Sequence, residues 1–183
     1  MLALLYIPIL NAQETTKIDK KNEIRVDVLS LVTTSKLNVS FERFLDKRAS
    51  IGVTTGFLLG GKTKDDFQDG VRNNLPKYEI IPYFRYNLSK ELKRFYFAEI
   101  FVNANGGDFK EIIRKVDANQ NGYYTTEQST YSDVALGASV GYKMYFKEKY
   151  ALEFIVGYGK NILNTDKSPD NIPRVGLNFG YRF

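Results

Sequence analysis

The sequence of 183 residues predicts an all-β fold, an antiparallel, eight-stranded, up-and-down transmembrane β-barrel. The C-terminal segment alternates apolar and polar or glycine residues without a break from Pro173 to Phe183. A period of two places consecutive side chains on opposite faces of a strand. Seven further segments repeat this period, and short charged connections between them alternate with long polar ones. These three observations together predict the barrel.

The predicted strands follow one another in the order of the chain. They lie near residues 23–32, 36–44, 50–59, 77–88, 95–104, 132–146, 150–159 and 173–183. Most of them reach the roughly 9–11 residues with which a tilted strand crosses a bilayer. In the fourth, Tyr78 and Phe84 share an apolar face opposite Glu79 and Arg85. The sixth is the longest clean alternation.

The lengths of the connections predict which end of the barrel faces the periplasm and which faces outward. Residues 45–48, 88–94 and 147–149 are short and charged, whereas residues 60–76, 105–131 and 160–172 are long and polar. Outer-membrane barrels combine short periplasmic turns with long outer loops. The connection near residues 33–35 is the exception, because it is predicted to be an outer loop and is very short.

Two soluble folds produce a similar alternation. A lipocalin-like barrel places apolar residues around an internal ligand, whereas the second face here is charged and rich in glycine. A β-sandwich also alternates, but it explains neither the aromatic closing strand nor the asymmetry of the connections. The pattern favours the membrane barrel, with these two folds as alternatives.

The N-terminal residues 1–12 predict a truncated secretory signal peptide. Residues 2–10 form a short apolar core, and Ala12 offers a small residue for cleavage before Gln13. No basic residue precedes Lys17, and Pro8 argues against a buried strand or helix. We expect residues 13–22 to form a periplasmic segment and residues 23–183 the barrel domain.

The closing strand resembles the terminal strand of bacterial outer-membrane barrels. This resemblance implies that Phe179, Tyr181 and Phe183 form the signal that the barrel-assembly machinery reads. Residues 22–31, 37–44, 50–56 and 81–86 resemble a largely uncharacterised family of small outer-membrane barrels of Bacteroidota, and the architecture is similar to the OmpA/OmpX/OmpW class. The resemblance implies a location in the outer membrane of a Gram-negative bacterium, contact with its lipid, and no established chemistry. We expect a monomer.

The polar face of the predicted strands collects charges of both signs. They are Arg25, Asp27, Glu42, Glu79, Arg85, Glu99, Asp133, Lys143, Glu153, Arg174 and Arg182. The interior of an eight-stranded barrel is just wide enough for its own side chains, and a buried charge is costly unless it is paired. We therefore expect a lumen plugged by ion pairs, with a narrow pore for small solutes as the alternative.

The composition argues against catalysis. The chain contains no histidine and no cysteine, so it lacks the usual general base and the thiol nucleophile. A lipid-active enzyme would have to use carboxylates, and no spacing of Asp and Glu singles out a pair. The basic residues are interspersed with acidic ones, which argues against nucleic acid as a partner. We expect no enzymatic activity and no cofactor.

The longest connection, from Asn105 to Tyr131, holds two further candidates. Asp117, Asn119 and Asn121, followed by Gly122, match the beginning of an EF-hand calcium loop. The match then fails, because position 12 is Gln128, so a plain turn is the favoured interpretation. The flanking strands have the β propensity to continue beyond the membrane as a hairpin. The exposed edge of such a hairpin is a candidate binding site for a protein partner.

Overall fold

The computed structural model describes residues 20–183 except Lys90 and Asn119. The predicted signal peptide and most of the predicted periplasmic segment lie outside the described residues. Within them the strands are β1 Asn22–Asp27, β2 Lys36–Phe44, β3 Ala49–Leu58, β4 Asn74–Asn87, β5 Arg94–Val116, β6 Gly122–Phe146, β7 Tyr150–Asn161 and β8 Asn171–Arg182. Two short helices, α1 Val28–Thr34 and α2 Lys62–Gln68, lie in the β1–β2 and β3–β4 connections.

The strands form a closed barrel. Each strand pairs antiparallel with its neighbours in the chain, and β8 returns to pair with β1. In this closing pair Val26 lies opposite Phe179, and Glu23 lies opposite Arg182. The predicted eight-stranded up-and-down barrel is therefore confirmed. A sandwich is excluded, because the sheet has no open edge within the barrel.

The apolar face of the sheet points outward. On β4 the exposed fractions of Ile80 and Phe84 are 47% and 41%, whereas those of Glu79 and Arg85 are 8% and 0%. The same alternation continues along the other strands. This orientation is opposite to that of a lipocalin-like barrel, in which the apolar face surrounds a cavity.

Several large aromatic side chains also point inward. Phe95, Phe97 and Phe101 on β5 are buried, although the period-two pattern predicts that the large aromatics face outward and that charge and glycine fill the lumen. Glycine residues on the neighbouring strand β6 leave space for the rings of Phe97 and Phe101. A Cβ atom on Gly141 would lie 2.3 Å from Cζ of Phe97, and one on Gly137 would lie 2.3 Å from Cζ of Phe101.

The first predicted strand is wrong beyond Asp27, because the chain turns there into helix α1. The carboxylate of Asp27 accepts hydrogen bonds from the backbone N–H groups of Leu29 and Ser30, at 3.1 and 3.2 Å. Such an N-cap satisfies donors that the first helical turn leaves unpaired. Ser35 ends α1 in the left-handed conformation. Among the described residues, no helix has the length and the apolar character needed to cross a membrane.

The long connection between β5 and β6 is a hairpin, as predicted. The two strands pair without interruption to Val116 opposite Gly122. Pairing of β4 with β5 ends at Phe109, and pairing of β7 with β6 ends at Ala135. Beyond these points β5 and β6 pair as strands only with each other. The base of the hairpin still contacts neighbouring loops, because the N–H of Lys110 donates to the backbone oxygen of Asn73 at 2.7 Å and the N–H of Ile162 donates to that of Val134 at 3.0 Å.

Candidate functional site

The interior of the barrel holds the predicted charges. Ten of the eleven predicted residues are buried, and the side chain of the eleventh, Arg174, is 14% exposed. Strand alternation accounts for this placement, because each of these residues has the parity of its inward-facing neighbours. The residues divide into one connected cluster and four that lie apart from it.

Arg85 lies at the centre of the cluster. Its guanidinium contacts the carboxylates of Glu42, Glu99 and Glu153, at 3.0, 2.7 and 2.7 Å. The guanidinium also stacks on the ring of Phe97, 3.8 Å from the ring centroid. Planar stacking together with several carboxylate contacts is the environment that suits arginine better than lysine.

Lys143 on β6 joins three carboxylates. Its Nζ lies 2.8 Å from Glu23, 2.9 Å from Glu42 and 2.9 Å from Glu153. Carboxylate oxygens of these three glutamates lie within 4.8 Å of one another, which is a spacing that could hold a metal ion. The ammonium group already supplies the positive charge at their centre, so a metal ion would have to displace it.

Two arginines complete the connected cluster. Arg25 contacts Glu23 at 2.7 Å and also Glu42, and its guanidinium donates a hydrogen bond to the hydroxyl oxygen of Tyr83 at 2.7 Å. Arg174 contacts Glu99 at 2.5 Å. The cluster thus holds four cations and four carboxylates, so the buried charges balance. A balanced, hydrogen-bonded set is the arrangement in which buried ions are tolerated.

The other four predicted residues, Glu79, Asp27, Arg182 and Asp133, have separate partners. Glu79 pairs with Lys36 at 2.6 Å, and Asp27 caps α1. Arg182 donates to the backbone oxygen of Lys20 at 2.8 Å and lies over the ring of Phe44. These residues lie on the inner face, but they do not join the central cluster.

Asp133 holds the loop between β7 and β8. It lies beyond the last β6–β7 pair, and its carboxylate accepts hydrogen bonds from the backbone of Leu163 and Asn164, at 2.9 and 3.0 Å, and from the hydroxyl of Ser168. Burial alone would raise the pKa of this carboxyl. The hydrogen bonds outweigh burial, so the pKa of Asp133 lies below its ordinary value.

Three members of the site are absent from the predicted set. Glu23 is fully buried and contacts two cations of the cluster. The hydroxyl of Tyr83 accepts a hydrogen bond from Arg25, and the hydroxyl of Tyr145 donates one to Glu23. Strand parity offered a signal for all three, because each stands two residues from a predicted lumen charge.

A cavity of about 360 Å³ lies between this cluster and the long-loop end of the barrel. Thr33 and Thr34 of α1 line one wall, and Asn38 and Asn103 line others. The cavity reaches Arg25 and Glu153 of the cluster. The charged cluster therefore forms its inner end.

The calcium candidate lies at the tip of the hairpin, outside the barrel. The carboxylate of Asp117 accepts a hydrogen bond from the backbone N–H of Asn121 at 2.8 Å, which closes the turn. Asn119 lies outside the described residues. Gln128 stands on β6, opposite Lys110, and so belongs to the ladder of the hairpin. Calcium binding by this turn stays a prediction.

The predicted assembly signal faces outward on β8 and at the C-terminus. Phe179, Tyr181 and Phe183 are 52%, 40% and 50% exposed. Their rings form a row with Tyr150, and ring centroids are separated by 5.7 to 6.4 Å between neighbours. Recognition of this row by assembly machinery stays a prediction.

Solved structures of small barrels are similar to this fold. The N-terminal β-barrel domain of Pseudomonas aeruginosa OprF has a TM-score of 0.56 at 12% identity, covering 90% of this chain and 98% of that chain. Neisserial surface protein A has a TM-score of 0.46 at 11% identity, with 88% and 93% covered. At 12% identity the likeness to the OprF domain supports the fold alone.

The sequence matches the model of one protein family. No curated protein matches it. The model of a family described as a protein of unknown function, DUF3575, matches residues 1–172. The narrower resemblance to barrels of Bacteroidota and to the OmpA/OmpX/OmpW class stays a prediction. Because the family match spans most of the sequence, this chain belongs to the DUF3575 family.

Proposed function

We propose that the protein is an integral outer-membrane barrel with a structural or surface-interaction role and no enzymatic activity. The outward apolar face is the observation that supports this proposal best. Ile100, Phe154 and Val156 are 63%, 57% and 55% exposed at mid-strand positions. A protein surrounded by water rarely exposes a contiguous apolar surface of this extent, whereas a lipid bilayer covers it. Export by the predicted signal peptide would deliver a monomer to the outer membrane of a Gram-negative bacterium.

Heat-modifiable migration tests the membrane assignment. A folded barrel migrates anomalously on a denaturing gel until it is boiled, so unboiled and boiled samples of the membrane fraction should differ in mobility. Recovery of the protein in the soluble periplasmic fraction, without any mobility shift, would contradict the assignment.

We further propose that the charged cluster closes the lumen. Arg85, Glu42 and Lys143 are fully buried, and the cluster contacts β1, β2, β4, β5, β6, β7 and β8 through its eight charged residues. A conducting path would require several of these ion pairs to separate together, which is costly at low dielectric. The narrow pore is therefore the weaker alternative. Planar-bilayer recordings should show no steps of single-channel current, and regular steps would favour the pore.

The pairing of the carboxylates also supports a role other than catalysis. Each glutamate of the cluster contacts at least one cation. A catalytic carboxylate pair needs one protonated member or an accessible base, whereas each of these carboxylates is paired with a cation and at most 2% exposed. A lipid-active enzyme without histidine is therefore the least supported alternative.

The hairpin carries the surface-interaction part of the proposal. In the part of the chain that the structure describes, β6 from Gly122 to Ser132 has no strand beside it other than β5. Ile112 and Tyr124 are 76% and 75% exposed. An extended partner segment can add to such an edge through backbone hydrogen bonds. Replacing residues 111–127 with a short Gly-rich turn should leave the barrel folded and abolish binding of any surface partner. Loss of the barrel itself would show that the hairpin is structural.

A further inference from the structure

An apolar furrow crosses the outer face of β2 to β6. Its volume is about 770 Å³, and outward-facing side chains such as Phe41, Ile51, Phe84 and Ile100 line it. Arg43, on β2, is the one charged residue that lines it. Arg43 lies one residue from the end of β2, where the strand enters a short turn.

The guanidinium of Arg43 has no acidic partner among the described residues. Its side chain is exposed on the same face as Phe41. A cation on the apolar face of a membrane protein is stabilised when an anion lies at the level of the lipid headgroups. An ion-paired arginine, such as Arg85 inside the barrel, has no such requirement.

The end of the barrel with the short turns is strongly basic in the part of the chain that the structure describes. It carries nine basic side chains, Lys20, Lys21, Arg43, Lys47, Arg48, Lys93, Arg94, Lys147 and Lys149, against three acidic ones, Asp46, Glu91 and Glu148. The long connections and the hairpin instead carry nearly equal numbers of basic and acidic residues. Tyr86 stands at the short-turn rim and accepts a hydrogen bond from Arg48 at 3.1 Å. Tyrosine beside basic residues is typical of the headgroup level of a membrane.

We propose that the furrow and Arg43 bind one anionic glycerophospholipid, with an acyl chain along the furrow and the phosphate group on Arg43. The proposal rests on the membrane location proposed above. A second copy of this chain fits the furrow less well, because no acidic side chain faces outward on the described barrel strands below the hairpin. Such a copy would bring apolar surface but no anion to Arg43.

Native mass spectrometry of the full chain, refolded in detergent micelles, tests this proposal. The probes are phosphatidylglycerol and phosphatidylcholine with identical acyl chains. The wild-type barrel should retain one phosphatidylglycerol at concentrations at which phosphatidylcholine adducts are several-fold less populated. Arg43→Gln should weaken retention of phosphatidylglycerol about fivefold, the effect expected for one basic residue at a lipid headgroup.

Two further variants separate the headgroup contact from the furrow. Lys160→Gln is the matched control, because Lys160 also faces outward but lies at the end with the long loops. It should leave the preference for phosphatidylglycerol unchanged. Ile100→Trp fills the furrow from a lipid-facing position and should weaken the retention of both lipids. None of these positions is inside the barrel, so all three variants should keep the heat-modifiable mobility of the wild type.

Several results would overturn the proposal. Equal retention of the two lipids by the wild type, or an unchanged preference in Arg43→Gln, would remove the headgroup site. A dimer mass without bound lipid would assign the furrow to a second copy, and displacement of the lipid by glycerol 3-phosphate alone would remove the role of the furrow. A protein that shows no heat-modifiable mobility in any lipid would instead contradict the proposed membrane location.

Discussion

Replacing Lys143 with methionine should destabilise the barrel strongly. The change keeps most of the side-chain volume and removes the ammonium group that contacts Glu23, Glu42 and Glu153. Glu42 and Glu153 keep contacts with Arg85, whereas Glu23 keeps only Arg25 as a cationic partner in the cluster. The cluster would then hold one uncompensated negative charge.

The expected loss follows from the burial of these groups. Lys143, Glu23 and Glu42 are 0% exposed, and Glu153 is 1% exposed. Removing one partner of a buried ion pair typically costs about 3–5 kcal/mol, since the remaining charge stays buried without compensation. Glu23→Gln in the Lys143→Met background restores the charge balance. The double variant should therefore lose about 1–3 kcal/mol less than the sum of the two single losses.

Equilibrium urea unfolding in lipid vesicles measures these differences, with tyrosine fluorescence and the heat-modifiable band as independent readouts. Lys160→Met is the control for the loss of one lysine, and it should change the free energy of unfolding by no more than about 0.5 kcal/mol. A Lys143→Met barrel within about 1 kcal/mol of the wild type would refute the reasoning. So would strict additivity in the double variant, because it would show that Lys143 and Glu23 do not interact.

Three further changes probe other parts of the molecule. Deleting Phe183 should lower the amount of protein that reaches the membrane in cells while refolding in detergent stays nearly normal, and an equal loss in both assays would contradict an assembly role. Gly141→Val should cost at least about 1–3 kcal/mol in urea unfolding, because its side chain would collide with the ring of Phe97. Asp133 should hold the β7–β8 loop above about pH 4, near the ordinary carboxyl pKa. As the pH falls further, through the lowered pKa in the folded protein, the carboxylate protonates and this stabilisation is lost. Relative to the cleavage of an unstructured reference peptide at each pH, pepsin should therefore cut the loop faster at low pH, and this relative pH dependence should be smaller in Asp133→Asn.

Strand parity made most of the barrel predictable. A residue two positions from a lumen residue on the same strand also faces the lumen, which is how Arg25 and Asp27 were both placed from sequence. Parity does not predict which basic side chain pairs with which acidic one. Arg85 on β4 contacts Glu153 on β7, and this contact across the lumen depends on the registers of all the strands between them. A single sequence does not supply these registers.

Helix α1 shows a different limit. The alternation of Ile24 and Val26 continues through Val28, so the period-two pattern extends the strand into the helix. The competing signal is Asp27, whose short side chain caps the helix through two backbone N–H groups. A local capping residue thus outweighed a continuing pattern.

The filling of the lumen depends on matching large and small side chains between neighbouring strands. Inward-facing glycines on β8, β3 and β6 stand beside long charged or aromatic residues on β1, β4 and β5. A Cβ on Gly52 would lie 2.3 Å from the ring of Tyr83, and one on Gly180 would lie 2.6 Å from Cγ of Arg25. The glycines therefore set how closely the buried ions approach one another. The charge balance of the cluster and the glycine pattern therefore depend on each other. Without the glycines, the oppositely charged side chains could not approach one another and would remain buried and unpaired.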